Sequence, residues 1–197
     1  MIHILRVMEA AGEVQQFCQN RNWQFCFIGG IAVQRWGEPR MTQDADLTLL
    51  TGFGNEEKFT DILLTSFPAR RADAREFALR SRVLLIQSAG GVAVDVALGG
   101  FPFEERTIQR SSSWTWLENQ SLVTCSAEDL IVHKTFAGRD LDWADVERIL
   151  IRQHGKLNLG QIQTELKPLL ELKGEMEALE KLARKLATVE RRLRAKP

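Results

Sequence analysis

Two aspartates one residue apart, Asp44 and Asp46, begin an apolar run that continues to Leu50 and starts fourteen positions after Gly30. Side chains along a β-strand point alternately to opposite faces, so both carboxylates are predicted to lie on one face. Apolar residues occupy the alternate positions and would line the opposite face. The spacing therefore predicts a pair of carboxylates on the open side of a strand.

A third acid, Asp95, lies in a separate apolar run, Gly91–Leu98. An ionised carboxylate without a partner is costly to desolvate, so positive charge must compensate it. One or two divalent cations shared with Asp44 and Asp46 are the simplest compensation, because hard oxygen ligands suit Mg²⁺ and a phosphate chain completes its octahedron. The alternative is a structural pair, satisfied by backbone donors and Arg40.

Gly29 and Gly30 separate a short apolar run from a helical segment. A turn without side chains lets backbone N–H groups approach phosphate oxygens at a helix N-terminus. The alternative is a tight strand-to-helix turn that binds nothing. The sequence contains neither a G-x-x-x-x-G-K-[ST] nor a G-x-G-x-x-G motif, so a nucleotide would be held in another way.

The elements that position these residues follow from hydrophobic periodicity and from turn residues. Strands are predicted at 23–28, 44–50, 83–87, 92–98, 114–117 and 122–125, and helices at 4–20, 31–36, 56–67, just after Pro102, 126–138, 141–153, a segment through Leu172, and 175–194. The fold class is α/β (α+β), with a small mixed twisted sheet backed by helices. A boundary is predicted near Ser126, between a catalytic domain at 1–125 and a helical region at 126–197.

Composition limits the cellular setting. The chain has 197 residues, 44% of them hydrophobic and 26% charged, with a formal net charge of +0, so nothing draws it as a whole toward nucleic acid or membrane. The three cysteines have no Cys-x-x-Cys spacing, which favours neither a disulfide framework nor structural zinc. No signal-peptide layout or membrane-spanning run is found, and a soluble cytoplasmic protein is predicted.

Together, Gly29-Gly30, the Arg40-x-Thr42-x-Asp44-x-Asp46 segment and Asp95 resemble the nucleotidyltransferase superfamily, whose signature is a Gly-Gly or Gly-Ser turn, a D-x-D strand and a third acid. This motif and the later segment from Glu128 to Val146 look like the minimal bacterial nucleotidyltransferases related to AbiEii abortive-infection toxins. The resemblance spans roughly residues 23 to 150.

The resemblance implies transfer of a nucleoside monophosphate from a nucleoside triphosphate to an acceptor hydroxyl. It implies metal binding and catalysis by Asp44, Asp46 and Asp95. The implied nucleotide-binding residues are Gly29, Gly30, Arg40, Thr42 and Lys134. Position 31 is isoleucine and the second glycine replaces the serine of the Gly-Ser form, so no hydroxyl is available there. Either the affinity for the triphosphate is lower as a result, or Thr42 supplies the hydroxyl instead. Arg139, Asp142 and Asp145 are predicted to form a structural ion network.

The acceptor is left open among RNA, a protein side chain and a small molecule such as an antibiotic. Two basic stretches could meet a polyanion, although solvated surface charge is the plainer interpretation of both. They contain Arg70, Arg71, Arg75, Arg80 and Arg82, and Lys181, Arg184, Lys185, Arg191, Arg192, Arg194 and Lys196. A different class of function is a non-catalytic nucleotide- or partner-binding module, such as one half of a toxin–antitoxin pair.

Overall fold

The computed structural model describes residues 2–195, with side chains from residue 4 onward, so Lys196 lies outside the described residues. The strands are β1 Phe25–Phe27, β2 Asp44–Leu50, β3 Val83–Gln87, β4 Ala93–Gly99, β5 Ser112–Leu117 and β6 Gln120–Thr124. The helices are α1 Ile2–Gln19, α2 Gly29–Trp36, α3 Glu56–Leu64, α4 Ala74–Ser81, α5 Pro102–Gln109, α6 Ala127–Ala137, α7 Asp140–Arg152, α8 Leu159–Lys173 and α9 Glu177–Arg194. None of these helices is both long enough and apolar enough to cross a bilayer.

The strands form one mixed sheet in the order β3-β4-β2-β1-β6-β5. β2 pairs in parallel with β4 and antiparallel with β1, and β3 joins β4 as an antiparallel hairpin. One face of the sheet is closed by apolar side chains, because alternate residues of β2, β3 and β4 are buried together with α1. The predicted mixed sheet backed by helices is confirmed.

The chain divides into two compact units. The first comprises Met1–Ile31 and Arg40–Cys125, and the second comprises Ala32–Pro39 and Ser126–Pro197. All six strands lie in the first unit, and α6 to α9 lie in the second. In the second unit the Ser126 hydroxyl caps α6 by accepting the Asp129 N–H at 3.0 Å, as the capping signature predicts.

The structure contains one helix that the sequence analysis missed. Residues Ala74–Ser81, which were interpreted only as part of the first basic stretch, form α4. Its buried residues are the two alanines Ala74 and Ala78, whose small side chains give a weak apolar period. It ends at Arg82 in the left-handed conformation, with φ of 57°, so the glycine that commonly marks a helix end is missing.

Candidate active site

The two acids of β2 share one face of the strand. Asp44 and Asp46 are half-buried, whereas Ala45, Leu47 and Leu49 are fully buried on the other face. The acids are held in place because the apolar set can face the core in only one register of the strand. The alternation in the sequence therefore correctly predicts the placement of the acids.

Asp95 joins this pair across the sheet. The parallel pairing of β2 with β4 sets Asp46 directly opposite Asp95. One carboxylate oxygen from each of Asp44, Asp46 and Asp95 can be chosen so that all three atoms lie within 4.8 Å of one another. The predicted convergence of the three acids is confirmed.

This carboxylate cluster fits divalent metal chemistry. Three half-buried carboxylates offer only hard oxygen donors, which Mg²⁺ and Mn²⁺ prefer. Their chosen oxygens lie close enough together to share an ion. Metal binding remains a prediction from the donor set.

The glycine turn lies directly against the acids. Gly29 begins α2 with φ of 54°, and the Gly30 N–H donates to Asp46 Oδ2 at 3.3 Å. A Cβ atom added to Gly29 would lie closer than 3.0 Å to the Asp46 carboxylate. The turn therefore requires glycine both for its backbone conformation and for its approach to the acid.

Thr42 places a hydroxyl beside the same turn. Its Oγ1 lies 3.3 Å from Asp44 Oδ1, and a Cβ added to Gly30 would come closer than 3.0 Å to that hydroxyl. The side chain is 5% exposed. Thr42 therefore lies next to Gly30, and its role as the substitute for the missing hydroxyl remains a prediction. The Arg40 guanidinium donates to the Met41 carbonyl oxygen at 2.9 Å, and its role in nucleotide binding remains a prediction.

One residue of this cluster, Arg70, was not predicted from the sequence. Its Nη1 lies 2.5 Å from Asp95 Oδ1 in a half-buried ion pair. The predicted need for positive charge beside Asp95 is therefore met at least in part by the protein itself, through the Arg70 guanidinium. In the sequence Arg70 belongs to the basic stretch that precedes β3. Because 25 residues separate it from Asp95, no local signal indicates the pairing.

Lys134 lies in the second unit, on α6, between two acids of α7. Its Nζ is 2.9 Å from Asp142 Oδ1 and 3.0 Å from Asp145 Oδ2, and all three side chains are buried. Burial would raise the pKa of Asp142, but hydrogen bonds from Arg139 and Lys134 outweigh it and hold that pKa below its usual value. The predicted ion network is confirmed and extends to Lys134.

Replacing Lys134 with methionine is expected to destabilise the second unit by on the order of 3 kcal/mol, because two buried carboxylates lose their shared partner. Urea unfolding of the variant measures this loss. The double variant Lys134→Met, Asp142→Asn is the control, and it should recover part of the stability by neutralising one of the two carboxylates that lost the lysine. Unchanged stability in the single variant would show that the ion network contributes little to the fold.

The first basic stretch is largely neutralised within its own unit. Arg71 pairs with Asp73. One arginine near the start of α4 and one just after its end pair with acids of α3. These last pairs are Arg75 with Asp61 and Glu57, and Arg82 with Glu56. Such pairing lowers the positive field that a polyanion would meet at this stretch.

The second basic stretch, on α9, is partly paired. Lys185 and Arg192 both bind Glu147 of α7, at 2.8 and 2.6 Å, and the hydrogen bond from Lys185 is the main reason that the pKa of Glu147 is lowered. The same helix buries Ala178, Leu182 and Val189. Part of the charge on α9 therefore holds the second unit together.

Comparison with known proteins gives structural matches but no sequence match. No family model matches the chain, and no curated protein matches it. An antigenic nucleotidyltransferase-like protein from Paracoccidioides brasiliensis is similar in structure, with a TM-score of 0.51, 15% identity, and 88% of this chain and 92% of that chain covered. The antibiotic-resistance factor ANT(2'')-Ia is similar with a TM-score of 0.53, 13% identity, and 88% and 96% covered. The chain therefore has a nucleotidyltransferase-like fold.

Proposed function

We propose that the protein is a metal-dependent nucleotidyltransferase, which moves a nucleoside monophosphate from a nucleoside triphosphate to an acceptor hydroxyl. The observation that carries this proposal is the convergence of Asp44, Asp46 and Asp95 beside the Gly29-Gly30 turn. A non-catalytic binding module, the alternative class, has no need for three acids within 4.8 Å of one another. The first unit contains the whole of this cluster.

In the proposed reaction the acceptor oxygen forms a bond to the α-phosphorus, the bond from that phosphorus to the β-phosphate bridging oxygen breaks, and pyrophosphate leaves. Asp95 accepts the proton of the acceptor hydroxyl. Asp44, Asp46 and Asp95 would hold two Mg²⁺ ions, which supply charge neutralisation at the phosphates and lower the pKa of the attacking hydroxyl. Asp44 and Asp46 would serve as metal ligands throughout.

The triphosphate is assigned to the turn and its neighbours. Backbone N–H groups at Gly29 and Gly30 lie at the start of α2, where a helix favours anions. Thr42 contributes its hydroxyl, and Arg40 contributes a guanidinium from the same segment. The resemblance also assigns Lys134 to the triphosphate, although its ammonium already binds Asp142 and Asp145.

We further propose residues 1–125 as the catalytic domain, residues 126–197 as a helical accessory region, and a reducing cytoplasm as the setting. Cys18, Cys26 and Cys125 are buried thiols that take part in no disulfide among the described residues, which suits that compartment. A toxin of a toxin–antitoxin pair, opposed by an antitoxin protein, is the biological role that the AbiEii-like motifs suggest. The structural likeness to ANT(2'')-Ia favours a second candidate, transfer to a small-molecule antibiotic.

Two parallel incubations separate these candidates. The purified protein is mixed with each labelled nucleoside triphosphate, Mg²⁺ and total cellular RNA, and the label is scored on RNA and on protein. A parallel reaction replaces the RNA with a panel of hydroxyl-bearing antibiotics and scores labelled product and released pyrophosphate. Absence of both label transfer and pyrophosphate release in every reaction would contradict the proposed activity.

If RNA is the acceptor, exposed cations of α9 that do not bind Glu147 should contribute to its binding. Changing Arg184, Arg191 and Arg194 to glutamine is expected to reduce the slope of log affinity against log salt by about 0.7 to 0.9 for each phosphate that is no longer neutralised. Filter binding at several salt concentrations measures the slope. Removal of the whole helix is a poorer test, because α9 buries Leu182 and Val189.

The control changes Lys156 to glutamine, which removes an exposed positive charge outside α9 in the second unit. The control should leave the slope as it is in the wild type. Equal slopes for all three proteins would count against RNA binding through α9 and favour a small-molecule acceptor.

A further inference from the structure

Asp95 has a resident cationic partner, and this partner is built into the sheet. The Arg70 backbone N–H donates to the Leu85 carbonyl of β3 at 3.0 Å, and the Gln87 N–H donates to the Pro68 carbonyl at 2.8 Å. An isolated bridge between Ala69 and Ile86 completes the attachment. The residues around Arg70 thus extend the sheet beyond β3, so the position of Arg70 is set by backbone hydrogen bonds.

The same register points Arg70 at the acids. Leu85 lies opposite Asp95, and Asp95 lies opposite Asp46, so the four residues form a row across the sheet. The Arg70 and Asp95 side chains are 24% and 32% exposed, which shields their ion pair in part from water. Neighbouring Arg71 differs, because it pairs with Asp73, outside the acidic cluster.

We propose that Arg70 is a positioning residue that acts as the counter-ion of Asp95, and that a divalent cation must compete with it for this carboxylate. The inference rests on the proposed metal-dependent function. In the metal-free protein, Arg70 offsets part of the repulsion among three clustered carboxylates. A divalent cation at the same acid experiences the Arg70 charge as repulsion, because like charges a few ångströms apart disfavour each other.

The consequence is a weakened metal position at Asp95. The Arg70 guanidinium lies 2.5 Å from Asp95 Oδ1, so a cation that binds this carboxylate lies within a few ångströms of a fixed positive charge. That cation should therefore bind more weakly than it would without Arg70. Arg70 would in this way make transfer depend on the concentration of free Mg²⁺.

The sign of one measurement distinguishes this role from a merely orienting one. Binding of Mn²⁺ is measured by electron paramagnetic resonance for the wild type, Arg70→Met, Arg70→Lys and Arg71→Met, and Asp95→Asn identifies the ion that depends on Asp95. Arg70→Met is expected to bind this ion at least about tenfold more tightly, because a positive charge has been removed beside a cation. Arg70→Lys should resemble the wild type, since it keeps the charge, and Arg71→Met should be unaffected.

An orienting role predicts the opposite result, because loss of the hydrogen bond to Asp95 would weaken Mn²⁺ binding. Equal or weaker binding by Arg70→Met therefore overturns the inference. If Arg70→Met does not fold, Arg70→Gln takes its place, with its melting curve in metal-free buffer as the check of folding. The half-saturating Mg²⁺ concentration for transfer should also fall in the neutral variants and not in Arg70→Lys.

Asp46→Asn separates failure of the inference from failure of the proposed function. If Asp46→Asn abolishes Mn²⁺ binding while Arg70→Met binds as the wild type does, the metal site stands and the counter-ion role is wrong. If the wild type binds no Mn²⁺ that depends on Asp46, both the metal site and the counter-ion role are wrong.

Discussion

Asparagine at position 46 is expected to reduce nucleotide transfer by at least about a thousandfold while the protein stays folded. Asp46 lies at the centre of the cluster, opposite Asp95 in the sheet and within hydrogen-bonding distance of the Gly30 N–H. Its replacement removes one negative metal ligand, and metal ions supply several kcal/mol of charge stabilisation in such reactions. Release of labelled pyrophosphate by the wild type and the variant measures the loss.

Thermal melting tests whether this effect is chemical. In metal-free buffer, Asp46→Asn should melt at the same temperature as the wild type or higher, because one of three mutually repelling carboxylates has been neutralised. Mg²⁺ with nucleoside triphosphate should stabilise the wild type and have less effect on the variant. Asp61→Asn is the control, since it changes an exposed carboxylate of α3 that pairs with Arg75 outside the cluster.

Full activity in Asp46→Asn, together with a wild type that gains no stability from Mg²⁺ and triphosphate, would identify the acids as structural. If the variant keeps full activity while metal clearly stabilises the wild type, the essential metal ligands are Asp44 and Asp95, and Asp46 is not one of them. The two results are separable because melting reports binding and pyrophosphate release reports chemistry.

The placement of the acids could be predicted from the sequence because it depends on strand periodicity. Asp44 and Asp46 alternate with three apolar residues that become fully buried, and a shift of one residue would bury both acids instead. Asp95 alternates in the same way within β4. Periodicity does not say which strands pair. Predicting that the three acids converge therefore also depended on the resemblance to nucleotidyltransferases.

The partners of the charged groups could not be predicted in this way. Arg70 reaches Asp95 because the chain before α4 attaches to β3, and that attachment depends on backbone hydrogen bonds with no sequence signature. Lys134 meets Asp142 and Asp145 through the packing of α6 against α7, although an isolated lysine in a helix is usually solvated. Long-range ion pairs are a product of tertiary structure.

The approach of the glycine turn to Asp46 leads to the second large prediction. Replacing Gly29 with alanine is expected to lower transfer by at least about a hundredfold and to weaken Mn²⁺ binding. The added Cβ would lie closer than 3.0 Å to the Asp46 carboxylate, so the acid or the turn must move. Displacement of a metal ligand by about an ångström is enough for losses of this size.

Backbone strain alone would produce a different pattern, and the chain provides a matched control. Gly91, in the turn between β3 and β4, has φ of 74° against 54° at Gly29, but a Cβ added there meets nothing within 4 Å. Gly91→Ala should therefore lose only the roughly 1 to 2 kcal/mol of a left-handed alanine and keep its metal binding and activity. Gly29→Ala should lose more stability, and its activity should fall in proportion to its metal affinity. Equal behaviour of the two variants would mean that the turn needs glycine for its backbone conformation, and that its approach to Asp46 has no part in the reaction.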